Sequence, residues 1–376
     1  MGWEELQDEE PAQGDRRAIR RLRFENSPGP YERDLREHLQ QAHGESRPDQ
    51  QDSVTVVDVE MAAAHERAQE RSRRGEARRR KLQAREEIRY KDDEDLDRGK
   101  QLGAGGQGAV YELIEDSSQV AKYWAEPLDR GFREFEELVH RKVDVEVAIS
   151  GYPIQLCWPD SPIRKDGKLW GYTMPMISEQ FYFNMTLGSV TKQKLRELQH
   201  AIPRHAEAIP FPFDVDDHDR LELVRLVAVF LDGMHRNDIA YGDFSWMNFT
   251  FSLNPVELCV LDFDSSRVQG SLPFTRSLPI DSPDWEDPQS QGAVVARLDS
   301  DRYKFALFAY RMLVAKSLHA EIDSDRLADW SSDPCSKLVG KLWTRSIGTA
   351  GSRPQLSQWV EVLDRARTSD FLSRAH

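Results

Sequence analysis

Residues 241–264 read Y-G-D-F-S-W-M-N-F-T-F-S-L-N-P-V-E-L-C-V-L-D-F-D. Three side chains in this run, Asp243, Asn248 and Asp262, are of the kind that works on a metal–phosphate complex. Asp243 and Asn248 are separated by four residues. F-T-F then reads as a short strand, N-P as a turn, and L-C-V-L as a second strand that ends at Asp262. Such a hairpin holds two oxygen ligands, Asn248 and Asp262, and a free carboxylate, Asp243, on a single edge. Hard cations such as Mg²⁺ take oxygen ligands of this kind, with a phosphate completing the shell. Asp243 could then accept the proton of a hydroxyl attacking that phosphate. The plain alternative is an acidic hairpin loop without chemistry, but D-x-x-x-x-N followed by a hydrophobic residue and D-F is uncommon by accident.

Composition narrows the setting. A chain of 376 residues suggests two domains or one large two-lobed one. With 39% hydrophobic residues it can bury a core, and with 31% charged residues part of it stays solvated. A net charge of −14 argues against nucleic acid as the main partner. Cys157, Cys259 and Cys335 form no C-x-x-C pair, which argues against a disulfide framework or a zinc site. The start, M-G-W-E-E-L, lacks the apolar core of a secretory signal and has Leu6 where a myristoylation motif expects Ser or Thr. The most apolar segments, Leu226–Leu231 and Phe305–Ala315, are too short to span a bilayer. The expectation is a soluble, cytoplasmic protein with no membrane partner.

Residues 1–95 differ from the rest. They are rich in Glu, Arg, Gln and Asp and are broken by S-P-G-P at 27–30. Met61–Tyr90 has strong helix formers and Glu/Arg pairs at helical spacing but almost no apolar stripe. It reads as a solvated or partly disordered helix. Its basic cluster Arg71–Lys81 could alternatively dock on an acidic partner, or on the acidic body of the chain itself.

Folding signals begin at Gly99. L-G-A-G-G-Q-G-A-V-Y carries G-x-G-x-x-G-x-V as Gly103, Gly105, Gly108 and Val110, with Gly106 between them. Glycines in a strand–turn–strand hairpin bring backbone N–H groups close to phosphate oxygens. The same pattern occurs in dinucleotide-binding folds, but there a helix follows directly. Here A-V-Y-E-L-I alternates like a strand, E-D-S-S turns, and Q-V-A-K-Y-W begins another strand carrying Lys122.

These motifs together resemble the protein kinase family, whose catalytic loop reads H-R-D-L-x-x-x-N, whose metal loop reads D-F-G, and whose lysine lies in V-A-I-K. The resemblance covers about residues 99–365. It implies an α+β, two-lobed fold: a small β-rich N-lobe (96–177) and a mainly helical C-lobe (178–376), preceded by the charged extension (1–95). It implies ATP and Mg²⁺ as cofactors, with Gly103–Gly108 over the phosphates and Lys122 on the α/β pair. Asp262 and Asn248 would hold metal, and Asp243 would be the base. A helix glutamate should pair with Lys122; on Phe132–Val143 this is Glu134, with Glu137 in reserve. G-Y-P-I-Q-L-C-W-P and K-D-G-K-L-W-G-Y-T-M-P-M-I read as two strands closing a small sheet, with a D-G hairpin turn at Asp166-Gly167. Met174-Pro175-Met176 falls where a hinge would contact adenine.

Other segments follow the same plan. Thr191–His200 reads as a short helix, and Asp217–Arg236 as a long amphipathic one with Leu223, Leu226, Val227, Phe230, Leu231 and Met234 inward. His235 reads as a helix-end packing residue. Ser282-Pro283-Asp284 resembles the family's A-P-E, with Arg353 as the partner of Asp284. Asp301 would brace the catalytic loop. The later segments favour protein kinases over aminoglycoside- or choline-type kinases, which share G-D and D-F-D. The function implied is an ATP-dependent kinase acting on protein hydroxyls of the Ser/Thr type. A small-molecule kinase, a pseudokinase scaffold and a non-enzymatic interaction protein built around the basic N-terminal helix are the rivals. Four departures stand out: Tyr241 and Gly242 in place of His-Arg, Ser245 in place of a phosphate-binding lysine, and Asp264 in place of glycine.

Overall fold

Short, alternating segments and tight turns build the first lobe. Its strands are β1 (Lys91–Asp92), β2 (Arg98–Gly105), β3 (Gly108–Leu113), β4 (Gln119–Leu128), β6 (Ser161–Lys165) and β7 (Lys168–Pro175), ordered β1-β6-β7-β4-β3-β2 in one sheet. This computed structural model describes residues 88–368, apart from 107, 129–130, 188, 204–210, 272–273, 275–281, 291–294 and 331–333. The described residues all belong to one compact unit, Arg85–His376. The expected basic helix and nearly all of the N-terminal extension lie outside the described residues.

The β6–β7 hairpin turns at Asp166 and Gly167, with φ of 51° and 72°. Positive φ at both central residues is what an Asp-Gly hairpin turn requires. Between β4 and β6 lie α1 (Phe132–His140), α2 (Lys142–Ala148) and β5 (Ile154–Leu156). The sheet already begins at Lys91, before the expected boundary at 96. In a second departure, β5 does not close that sheet: it runs parallel to the strand Glu257–Val260 in the second lobe, with Leu258 opposite Ile154.

After β7, β8 (Tyr182–Leu187) and β9 (Val190–Leu195) pair antiparallel, Tyr182 opposite Leu195. The helix expected over Thr191–His200 is therefore a strand followed by a single 3₁₀ turn, Leu198–Ala201. Cross-strand bonding satisfies the backbone of V-T-K-Q-K, and Thr186 and Thr191 join hydroxyls across the pair at 3.0 Å.

The second lobe is built on α3 (Asp217–Arg236). Its start is a reciprocal cap: Asp219 N–H donates to Asp216 at 2.8 Å, and Asp216 N–H donates to Asp219 at 3.3 Å. The six apolar residues expected to face inward are all fully buried. Then come β10 (Ile239–Ala240), β11 (Phe249–Ser252), β12 (Glu257–Val260) and β13 (Arg267–Val268). The helices α4 (Leu298–Tyr310), α5 (Ser324–Trp330), α6 (Pro334–Ser346) and α7 (Leu356–Thr368) complete the lobe, with α4 running on through a π-helical turn, Arg311–Ala315. Phe305, Trp343 and Trp359 lock α4, α6 and α7 together, their rings meeting edge to face at 5.3 and 5.5 Å. Cys157 and Cys259 are buried free thiols with sulfurs 3.7 Å apart. Among the described residues, no helix is long and apolar enough to cross a membrane.

Candidate active site

The hairpin read from the sequence is present: β11 and β12 pair antiparallel, Phe249 opposite Val260. It carries Asn248 at its entry and Asp262 just past its exit, and Leu261 N–H closes the edge by donating to Asn248 O at 2.8 Å. Asn248 Nδ2 donates to Asp243 O at 2.8 Å. With the amide so oriented, its Oδ1 is left as an oxygen ligand. Asp262 holds a φ of 50°, a left-handed backbone that non-glycine residues seldom adopt and that clusters at functional sites.

The loop bearing Asp243 is fixed from α4. The buried carboxylate of Asp301 accepts from Tyr241 N at 2.8 Å and from Gly242 N at 3.1 Å, and its Oδ2 meets His235 Nε2 at 3.1 Å. One turn along the same helix, Lys304 donates to Gly242 O at 2.6 Å. Tyr241, fully buried where the resemblance expected histidine, donates through its hydroxyl to Leu261 O at 2.6 Å. It thereby ties this loop to the metal loop. Gly242 has φ +88°, and a Cβ there would lie 2.8 Å from Ser265 O. The expected arginine does not fit that backbone.

Asp243 itself meets Ser282. The Ser282 hydroxyl and backbone N–H both donate to Asp243 Oδ1, at 2.8 and 3.1 Å. Burial pushes the Asp243 carboxyl above its ordinary value. The Ser282 bond and the Lys304 charge pull it down, while the Asp262 charge pushes it up, and the balance is upward.

In the sheet, Lys122 lies on β4 with Val110 opposite it on β3 and Tyr172 opposite it on β7. Its ammonium is 3.0 Å from Asp262 Oδ1 and 2.8 Å from Asp264 Oδ2. Burial alone would lower the lysine pKa, but the two carboxylates outweigh it and hold the amine charged. The pairing expected with Glu134 is not made. The helix α1 buries Phe135 and Leu138 toward the sheet, with Phe135 packed on Trp124 and Tyr172 at 5.5 Å from each. That aromatic contact turns the flanking carboxylates away: Glu136 accepts from Tyr90, and Glu137 pairs with Arg141.

Gly103, Gly105 and Gly106 are exposed on the β2–β3 hairpin, and a Cβ on any of them would meet nothing. Packing therefore does not demand glycine at these three positions. Gly108 differs: its Cβ would lie 1.9 Å from Tyr123 O. On the far side of the sheet, Met174 is opposite Val120. The Met176 backbone is engaged within the chain, its N–H donating to Ser118 O and its carbonyl accepting from Gln155 Nε2, both at 2.8 Å. Met176 therefore lacks the free donor expected of an adenine contact.

The partner of Arg353 also differs from expectation. Arg353 binds Asp287 and not Asp284, which pairs instead with His319 at the surface. Sequence reasoning missed Asp287, Asp264 and Lys304. Asp287 stands in W-E-D-P, three residues past the Asp284 that matched the motif. Lys304 had a readable signal, standing one helical turn after Asp301.

Among the described residues, no group of three or more His, Cys, Asp or Glu could hold a metal. Two side-chain oxygens, from Asn248 and Asp262, suit Mg²⁺, which is commonly bound by one or two protein ligands together with substrate phosphates. Lys122, Asp262, Asn248 and Asp243 thus come together where the β lobe meets the helical lobe. The architecture is protein-kinase-like. No protein-family model matches the chain, and no curated protein matches its sequence. Among solved structures, the kinase domain of Mycobacterium tuberculosis PknI, as a double mutant, is similar at 17% identity with a TM-score of 0.44. That match covers 72% of this chain and 95% of the PknI chain. At that level nothing is carried from PknI to this chain.

Proposed function

We propose that the chain is an ATP-dependent protein kinase that transfers the γ-phosphoryl group to a protein hydroxyl of the Ser/Thr type. The observation that carries this reading is the joining of Lys122 to Asp262 at 3.0 Å across the cleft, with Asn248 and Asp243 on the same loop edge. Phosphoryl transfer asks mostly for positioning and charge neutralisation, and these residues supply both. Bound Mg²⁺ would neutralise charge on the phosphates. Lys122 would hold the α/β oxygens, and the open backbone of Gly103–Gly106 would cover them. Asp243 would orient the acceptor hydroxyl and take its proton as the new O–P bond forms and ADP leaves. That the Ser282 hydroxyl reaches Asp243 at 2.8 Å supports a short aliphatic hydroxyl as the acceptor.

The test is incubation with Mg²⁺ and γ-labelled ATP, beside an Asp243→Ala control. Label on the chain or on a generic protein substrate, absent from the control, is the expected result. Label transferred only to small hydroxyl or amine acceptors would make it a small-molecule kinase. ATP binding without any transfer would make it a scaffold, and failure to bind ATP would remove the kinase reading.

A further inference from the structure

The metal loop does something in this chain that glycine at position 264 could not do. Strand alternation puts Lys122 and Trp124 on one face of β4. Tyr172, directly across from Lys122 on β7, shares that face. All three aim a donor at one carboxylate: Lys122 Nζ lies 2.8 Å from Asp264 Oδ2, Trp124 Nε1 3.1 Å from the same oxygen, and Tyr172 OH 2.8 Å from Oδ1. Asp264 is 3% exposed, whereas the Asp262 side chain is 25% exposed. The two carboxylates are therefore not equivalent. Asp262 faces the cleft, and Asp264 faces the sheet.

We infer that Asp264 is the positioning residue for Lys122, taking the place of a helix carboxylate; this rests on the phosphoryl-transfer reading above. The helix that would otherwise supply an acid presents Phe135 and Leu138 to the sheet, and its Glu136 and Glu137 are engaged elsewhere. Asp264 N–H also donates to Asp262 Oδ1 at 3.2 Å. One three-residue segment thereby sets both the candidate metal carboxylate and the phosphate lysine. Lys122 is placed by the metal loop, so its alignment does not depend on movement of α1.

The experiment compares wild type, Asp264→Asn and Glu134→Gln. With its oxygen placed as Oδ2, asparagine still accepts from Trp124, and its Nδ2 can donate to the Tyr172 hydroxyl oxygen, so what it chiefly removes is the charge opposite Lys122. ADP affinity is measured by calorimetry with Mg²⁺ and again with chelator. Asp264→Asn should weaken ADP by about tenfold in both conditions, because the charge-assisted bond to Lys122 is lost. A loss seen only with Mg²⁺ would make Asp264 a metal ligand and overturn the inference. An equal loss on Glu134→Gln would return the role to the helix.

A second readout needs no nucleotide. Acylation of Lys122 by an amine reagent, followed by peptide mass analysis, should be slow in wild type and several-fold faster in Asp264→Asn. Unchanged labelling overturns the pairing. If wild type binds no ADP, the kinase reading fails by itself and the labelling still decides the pairing. Should Asp264→Asn not fold, adding Lys122→Met removes the buried cation that lost its partner and should restore folding. A double variant that stays unfolded also overturns the inference.

Discussion

Arg353 grips Asp287 with two parallel bonds, Nη1 to Oδ2 at 2.7 Å and Nη2 to Oδ1 at 2.8 Å, and both side chains are almost wholly buried. The guanidinium also reaches the Asp299 carbonyl at 3.1 Å, so it pins the segment after the active-site loop to the start of α4. The bonds from Arg353 outweigh burial and hold the Asp287 carboxyl below its ordinary value.

Removing one partner of such a pair strands the other charge in the interior. Arg353→Ala and Asp287→Ala should each destabilise the chain by about 3–5 kcal/mol, read as a lowered urea midpoint. Asp284→Asn, which tolerates the positive φ of 69° at this position and weakens a surface contact with His319, should stay within about 1 kcal/mol of wild type. The sign for Asp287 follows from its lowered pKa. Its contribution is present above the unfolded carboxylate pKa and fades as the pH falls through the lower folded value.

The glycines of the β2–β3 hairpin should separate into two kinds. Gly108→Ala puts a Cβ 1.9 Å from Tyr123 O, so it should cost more than about 1 kcal/mol in stability. Gly103→Ala and Gly105→Ala meet no neighbour, so they should change stability by less than about 0.5 kcal/mol while weakening ATP binding. Thermal melting with calorimetric titration of ATP checks both halves.

As the proposed base, Asp243 would work only when ionised. Burial raises its pKa in the free chain, so the acid limb of kcat/KM should lie above that of an unperturbed aspartate. The Ser282 hydroxyl opposes that shift, and Ser282→Ala should therefore move the acid limb further up in pH. A profile of kcat/KM against pH for the two proteins decides it, and a downward move would contradict the geometry.

Asp301→Ala should leave the N–H groups of Tyr241 and Gly242 buried without an acceptor. Each stranded donor costs roughly 1–3 kcal/mol. Single-turnover transfer should fall steeply, while ATP affinity, set largely by Lys122 and the glycine hairpin in the other lobe, should change little.

Much of this was legible in the chain itself. Local rules act over a few residues, and they correctly gave the glycine hairpin, the D-G turn at Asp166, α3 with its inward stripe, and the hairpin delivering Asn248 and Asp262. Asp301 was legible only through the kinase resemblance, which implied an acid on this helix bracing the loop of Asp243. What failed needed distances between segments remote in sequence. Strand pairing decided that β5 joins β12 and that 190–195 is a strand, because backbone groups bond to whichever neighbour the fold supplies.

The choice of ionic partners was tertiary as well. Glu134, Asp264, Asp284 and Asp287 are all carboxylates at plausible spacings, and sequence sees no difference among them. Burial separates them. Phe135 fills the space a helix carboxylate would need, Asp264 is enclosed by Lys122, Trp124 and Tyr172, and Asp287, not Asp284, is enclosed with Arg353. The sequence by itself determined which residue types meet the cleft. Which carboxylate holds which cation was decided only by the packing that excludes water from one and leaves it on another.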